Sequence, residues 1–282
     1  MTIHIVTDST ADIPVKIINE YGIQVVPLNI HFGEEVLKDG VDIWSEEFYN
    51  RLRNEDLLPN TSQPAPGEFL TIYQRIAKPG DTIISIHISK EMSGTVGSAE
   101  IAASMLPEEV TVRVIDSRNV TLGLGTMVIK AAQLAQNGAS VTAIIEAIEK
   151  WKEQVGVYFT VNSLEYLHRT GRIGKASALL GGLLNIKPVL AIEDGIIIPV
   201  EKVRGQFAKV AAQIVENIYQ RYGSAPLQVC YLHTDLPELN SCLQKAAEAR
   251  LNIGESMTNL VGPIVGAHGG PFTIGIAVLP LA

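Results

Sequence analysis

Three stretches of this chain gather hydroxyls, an imidazole and small residues in patterns that suit an anion. In Thr61-Ser62-Gln63-Pro64-Ala65-Pro66-Gly67-Glu68-Phe69, two hydroxyls precede two prolines and a helix start. Hydroxyls and the unpaired N–H groups of a helix N-terminus can converge on an oxyanion; a rigid loop before a capped helix is the plainer reading. Ser89-Lys90-Glu91-Met92-Ser93-Gly94-Thr95 repeats the theme. There Ser93 can cap a helix, and Gly94 lets a ligand approach the backbone. Val265-Gly266-Ala267-His268-Gly269-Gly270-Pro271 sets an imidazole in a loop of small residues. It can donate to a carboxylate, orient a hydroxyl or simply satisfy loop carbonyls.

Other chemistries fit less well. Ser89 and Lys90 are sequence neighbours, so in an extended segment they face opposite ways. No G-x-S-x-G elbow is present, which argues against a serine hydrolase. The remaining histidines (His4, His31, His87, His168 and His233) show no H-x-x-x-H pair, so no metal site is expected. Gly123-Leu124-Gly125 lacks the third glycine of a dinucleotide loop, since Val128 stands there, and there is no Walker-type loop. The most basic tract runs over residues 164–174, with Lys175, Lys187, Lys202 and Arg204 nearby in sequence. It is either a solvated face or a docking surface for an acidic or phosphate-bearing partner. Arg204-Gly205 reads as the opening of a long helix, where the dipole disfavours a cation; that placement suggests a job for Arg204 other than stability.

The elements that must position these residues alternate in kind. Strands are expected over residues 3–7, 24–32, 82–87 and 110–115. Helices are expected from about Ala11, with Pro14 in the first turn, and over 45–53, 66–77, 94–106, 122–137 and 141–154. This alternation implies right-handed crossovers and a mostly parallel, Rossmann-like α/β sheet. Ligands in such sheets sit at the carboxyl ends of the strands, which puts Asp8-Ser9, residues 88–93 and Asp116-Ser117 on one rim. Beyond residue 155 the pattern becomes α+β. Strands are expected over 155–161, 186–192, 196–199, 227–233, 258–261 and 272–279, with helices over 163–170, 174–184, 206–222 and 236–249. Glu193-Asp194-Gly195 is a hairpin signal. Two domains, 1–155 and 156–282, follow from this change.

Composition bounds the function. The 282 residues carry 22 Lys+Arg against 30 Asp+Glu, for a net charge of −8. That balance, with 6% aromatics, argues against nucleic-acid binding. The charge is uneven: −9 over residues 1–155 and +1 over 156–282. Hydrophobic residues reach 46%, and residues 256–282 lack any charged side chain. Gly262, Gly266, Gly269, Gly270, Gly275, Pro263, Pro271 and Pro280 interrupt that stretch, so it reads as a loop and a strand and not as a membrane span. Two cysteines make no disulfide framework and no export signal is visible, so a cytoplasmic location is expected.

Taken in order, the motifs resemble the DegV family. They are Asp8-Ser9-Thr10-Ala11-Asp12-Ile13-Pro14, Thr61-Ser62-Gln63-Pro64 with Gly67-Glu68-Phe69, Ser93-Gly94-Thr95 and Asp116-Ser117. Leu164-Glu165-Tyr166-Leu167 and Gly171-Arg172-Ile173-Gly174 follow, then Asn185-Ile186-Lys187-Pro188, Lys202-Val203-Arg204-Gly205, and Gly262-Pro263 with Gly266-Ala267-His268. The resemblance spans nearly the whole chain and rests on number and order more than on any one motif. It implies two α/β domains with a long-chain fatty acid between them in an apolar tunnel. It further implies a FakB-type role, in which bound fatty acid is presented to a separate ATP-dependent kinase that makes acyl phosphate. By resemblance Thr61 and Ser93 bind the carboxylate, and His268 supports the network with Ser62 beside it. Arg204 belongs to the kinase and phosphoryl-transfer surface, with Arg172 a second candidate. The chain itself would carry no catalytic residue, metal or cofactor; ATP belongs to the partner. Two departures stand out: Thr170 precedes Gly171 where glycine is common, and Gly269 replaces a common threonine beside His268. A lipid-responsive module without a kinase role and an acyl hydrolase using Ser93 and His268 are the alternatives.

Overall fold

The computed structural model describes residues 2–55, 58–180, 186–234 and 236–281, with only the backbone of Ile186. The chain divides into two compact units: residues 1–44 with 59–153, and residues 45–58 with 154–282. The break after Glu153 falls where the residue pattern changes, and the excursion 45–58 is an addition that local pattern does not reveal.

In the first unit, β1 (Ile3–Asp8) leads through a 3-10 turn at Ser9–Ala11 to α1 (Val15–Tyr21) and β2 (Gln24–Val26). The expected helix start near Ala11 is therefore two pieces. Asp8 caps the short turn, and Pro14 sits just ahead of α1. The expected strand 24–32 also splits. Pro27 offers no N–H to a ladder, and after it β3 (Asn29–Phe32) joins a different sheet. β4 (Glu35–Lys38) follows, then α2 (Ser45–Asn54), which belongs to the second unit. β5 (Asn60–Ser62) and α3 (Pro66–Ile76) precede β6 (Thr82–His87), α4 (Thr95–Ser104), β7 (Thr111–Asp116), α5 (Thr121–Gln136) and α6 (Val141–Gln154).

β2-β1-β6-β7 form an all-parallel sheet, and β4-β3-β5 a small antiparallel one. Val6 and Ile83 on one face of the parallel sheet bury against Phe69, Tyr73, Ala99 and Ala102 of α3 and α4. Ile5, Ile84 and Ile86 are buried on the opposite face, where α5 packs. Gly125 of α5 lets the backbone approach closely: a Cβ there would lie 2.4 Å from the Ala11 carbonyl oxygen.

The second unit contains β8 (Gly156–Thr160), α7 (Glu165–Arg169), a 3-10 segment at Gly174–Leu179, β9 (Ile186–Glu193) and β10 (Ile196–Arg204). Then come α8 (Phe207–Tyr222), β11 (Leu227–His233), α9 (Pro237–Glu248), β12 (Ile253–Leu260), α10 (Pro263–Gly269) and β13 (Ile274–Pro280). The helix expected over 174–184 is 3-10 over its first six residues; residues 181–184, and Asn185, lie outside the described residues. The sheet order is β10-β9-β8-β13-β11-β12, antiparallel except for β11 with β12. Tyr158, Val189, Val229, Ile276 and Val278 on one face bury against Val210, Ile214 and Ile218 of α8 and Leu243 of α9. The alternate residues Val157, Leu190, Leu232, Ala277 and Leu279 are buried as well, so this sheet is apolar on both faces.

Candidate functional site

The carboxyl ends of β1, β6 and β7 lie side by side in the parallel sheet, with His87 paired to Asp116. The segment after β6 folds back tightly there. Ser89 N–H donates to the Asn119 carbonyl at 2.9 Å, and the Ser89 carbonyl accepts from Met92 and Ser93 N–H at 3.0 and 3.1 Å. Asp116 Oδ1 accepts the backbone N–H of Arg118 at 2.9 Å and of Lys90 at 3.3 Å. Ser93 thus sits on a turn pinned from both sides. Its hydroxyl lies 2.9 Å from Thr95 Oγ1. Gly94, not Ser93, occupies the cap position of α4.

Thr61 is on a strand, not in a loop: β5 pairs with β3 with Thr61 opposite Ile30. Alternation turns Ser62 the other way, where its hydroxyl meets His31 Nε2 at 2.9 Å. The Thr61 and Ser93 segments meet through the next residues. Gln63 lies directly against Gly94, where a Cβ would fall 2.4 Å from the Gln63 Oε1. Beyond them, the Glu68 carboxylate accepts the Ala65 N–H at 2.8 Å and fixes the start of α3.

His268, Arg172 and Arg204 belong to the second unit. His268 stands in the last turn of the short helix α10, where a loop is expected from the glycines. Pro263 at the first position and close packing on α2 account for the helix: a Cβ on Gly266 would meet the Tyr49 hydroxyl at 2.5 Å and Phe48 at 2.9 Å. Tyr49 O–H donates to the Val261 carbonyl at 2.9 Å, just before α10. Burial, helped by the positive charge of Arg172, holds the His268 imidazole down at about 4. It is therefore neutral at pH 7, with one donor and one acceptor nitrogen. Arg172 donates through Nη1 to the Thr170 carbonyl. Arg204 is the exposed last residue of β10, three residues before α8 begins, so it does not open that helix and the dipole argument for it falls.

Beneath the Ser93 turn lies a buried polar chain that no sequence motif announces. Tyr73, Ser85, His87 and Asp8 link in series at 2.8, 2.6 and 3.0 Å. Ser85 and His87 at i and i+2 of a strand are the one local sign of it. Asp8 is 77 positions before Ser85 and announces nothing by spacing.

A family-model comparison matches residues 2–281 to the uncharacterised-protein family DegV. The chain belongs to the DegV family. A DegV domain-containing protein of Deinococcus radiodurans is 38% identical over the full length of both chains. A DegV-family protein of Thermus thermophilus, described by its fatty-acid binding, superposes with a TM-score of 0.91 at 34% identity, each chain fully covered. DegV of Bacillus subtilis, described as a fatty acid binding protein, gives 0.90 at 32%, again over all of both chains. The α/β architecture of the two units is thus the DegV architecture. Among the described residues of this DegV chain, no helix is long and apolar enough to cross a membrane.

Proposed function

We propose that this protein binds a long-chain fatty acid, with its carboxylate at Thr61 and Ser93, and presents it in the cytoplasm to an ATP-dependent kinase. The observation that carries this reading is the abutment of the Thr61 and Ser93 segments through Gln63 and Gly94, in a chain 34% identical to a fatty-acid-binding relative. Two hydroxyls can hold a carboxylate by hydrogen bonds without a fixed positive charge. That choice suits the next step. A carboxylate oxygen attacks the γ-phosphorus of the partner's ATP, the bond to the leaving ADP breaks, and acyl phosphate results. An arginine bound to the carboxylate would stabilise the ground state and blunt the nucleophile. The reading further gives His268 a neutral hydrogen-bonding role, and gives Arg204 and Arg172 the kinase and its phosphates.

An apolar tunnel accommodates the acyl chain. Burying about 15 methylenes yields roughly 12 kcal/mol gross at ~0.8 kcal/mol each. Association and ordering subtract several kcal/mol or more, which leaves sub-micromolar binding. Alanine variants of Thr61 and Ser93 test the reading. Both are expected to weaken fatty-acid binding and to slow acyl-phosphate formation with kinase and ATP. Wild-type behaviour of both in both assays would sink it.

A further inference from the structure

We infer that the buried chain Tyr73–Ser85–His87–Asp8 is a positioning device that fixes the Ser93 turn and the Thr61 segment as one rigid carboxylate receptor; this rests on the fatty-acid reading above. All four side chains are 0% exposed. Tyr73 OH lies 2.8 Å from Ser85 Oγ, Ser85 Oγ 2.6 Å from His87 Nε2, and His87 Nδ1 3.0 Å from Asp8 Oδ2. One direction of donation satisfies every atom. Tyr73 donates to Ser85, Ser85 to His87 Nε2, and His87 Nδ1–H to the carboxylate, which can only accept. Burial pushes the Tyr73 hydroxyl up to about 12, so it remains a donor.

Each end of the chain grips one side of the site. Asp8 Oδ2 also accepts the Ile88 N–H at 3.0 Å, at the point where the backbone leaves β6 for the Ser93 turn. Asp8 Oδ1 accepts from Thr10 N–H at 3.0 Å and from the Thr10 hydroxyl, so the carboxylate is saturated and cannot swing. At the other end Tyr73 lies on α3, the helix that follows the Thr61 segment. Phe69, one turn earlier, meets the His87 ring edge-on with centroids 5.0 Å apart and planes at 87°. The strand exit and the helix are thus locked through one imidazole.

Ser85, His87 and Asp8 have the connectivity of a hydrolytic triad, yet the site forbids that chemistry. The Ser85 oxygen is sealed from solvent and already takes the Tyr73 proton donor, so no acyl carbon can reach it. What remains is placement. Groups that orient metal ligands typically cost about 10–100-fold in affinity when lost, and a loss of similar order is expected for groups that orient this receptor.

The test compares Kd for a long-chain fatty acid with Kd for the alcohol of equal length. The ratio isolates carboxylate recognition from acyl-chain burial and from general loss of stability. Wild type should prefer the acid, and Thr61→Ala should lose most of that preference. His87→Gln should reduce it on the order of tenfold, and Tyr73→Phe and Ser85→Ala by smaller factors in the same direction. His87→Gln folded and with a wild-type ratio would overturn the inference. If that variant does not fold, unchanged ratios in both Tyr73→Phe and Ser85→Ala would do the same. A wild-type protein that binds neither ligand, or shows no acid preference, would instead refute the fatty-acid reading itself.

Discussion

Two titrating side chains carry the sharpest expectations at the scale of single residues. His268 is held at about 4, against an ordinary 6.5, chiefly by burial. Its ring signals in NMR should stay at neutral-imidazole positions from pH 8 down to about 5; a midpoint near 6.5 would contradict the proposed role as a neutral hydrogen-bond partner. The linked stability is present above 6.5 and is lost as pH falls toward 4, because the unfolded imidazole takes up a proton first. Asp39 runs the opposite way. Burial, with the Asp8 charge adding to it, raises its carboxyl from 3.8 to about 7 even though a bond from Ser9 opposes the shift. The folded state then holds a proton that the unfolded state has lost, so stability declines as pH rises from about 4 to 7. Asp39→Asn should therefore gain up to a few kcal/mol at pH 8 relative to wild type and little at pH 4, read as the difference in Tm between the two pH values. An equal effect at both pH values would show that the carboxyl does not titrate as stated.

At the scale of elements, α2 to α6, α8, α9 and the strands β1, β6 and β7 were legible from their hydrophobic patterns, to within a residue or two. β6 and α6 begin and end where the pattern places them. The misread pieces are those whose conformation is decided by a distant partner. β5 is three polar residues, Asn60–Ser62, that become a strand by pairing with β3 some thirty residues earlier. α10 holds two glycines in seven residues and has poor intrinsic propensity; α2 supplies the packing that makes it a helix. The contribution of α2 is testable. Tyr49→Phe leaves the ring but removes the donor to the buried Val261 carbonyl, and should cost about 1–2 kcal/mol in denaturant unfolding with unchanged m. A cost indistinguishable from zero would mean that the bond does not hold α2 to the segment before α10. The Thr61 and Ser93 motifs themselves stand out in the sequence by their hydroxyls, prolines and glycine. The Asp8–His87 link beneath them was not, because its members are 79 positions apart in sequence.

At the scale of the whole molecule, the apolar surplus and the charge asymmetry take on meaning. A 46% hydrophobic content feeds an all-parallel sheet and a second sheet buried on both faces, with no membrane-crossing helix among the described residues. Once the excursion 45–58 is assigned to the second unit, the first unit carries −7 and the second −1. Arg204 and Arg172 are exposed on the second unit, where the proposed kinase encounter can be tested. Arg204→Glu should leave the bound fatty acid in place and lower the rate of acyl-phosphate formation about tenfold or more, with a weaker dependence on salt. An unchanged rate would remove Arg204 from the encounter.

The most direct test of the central claim is denaturing mass spectrometry of small molecules released from the purified protein. A long-chain fatty acid near one equivalent per chain, much reduced in the Thr61→Ala, Ser93→Ala double variant, is the predicted result. A folded wild-type protein that releases no fatty acid, and takes none up when it is supplied, would contradict the account.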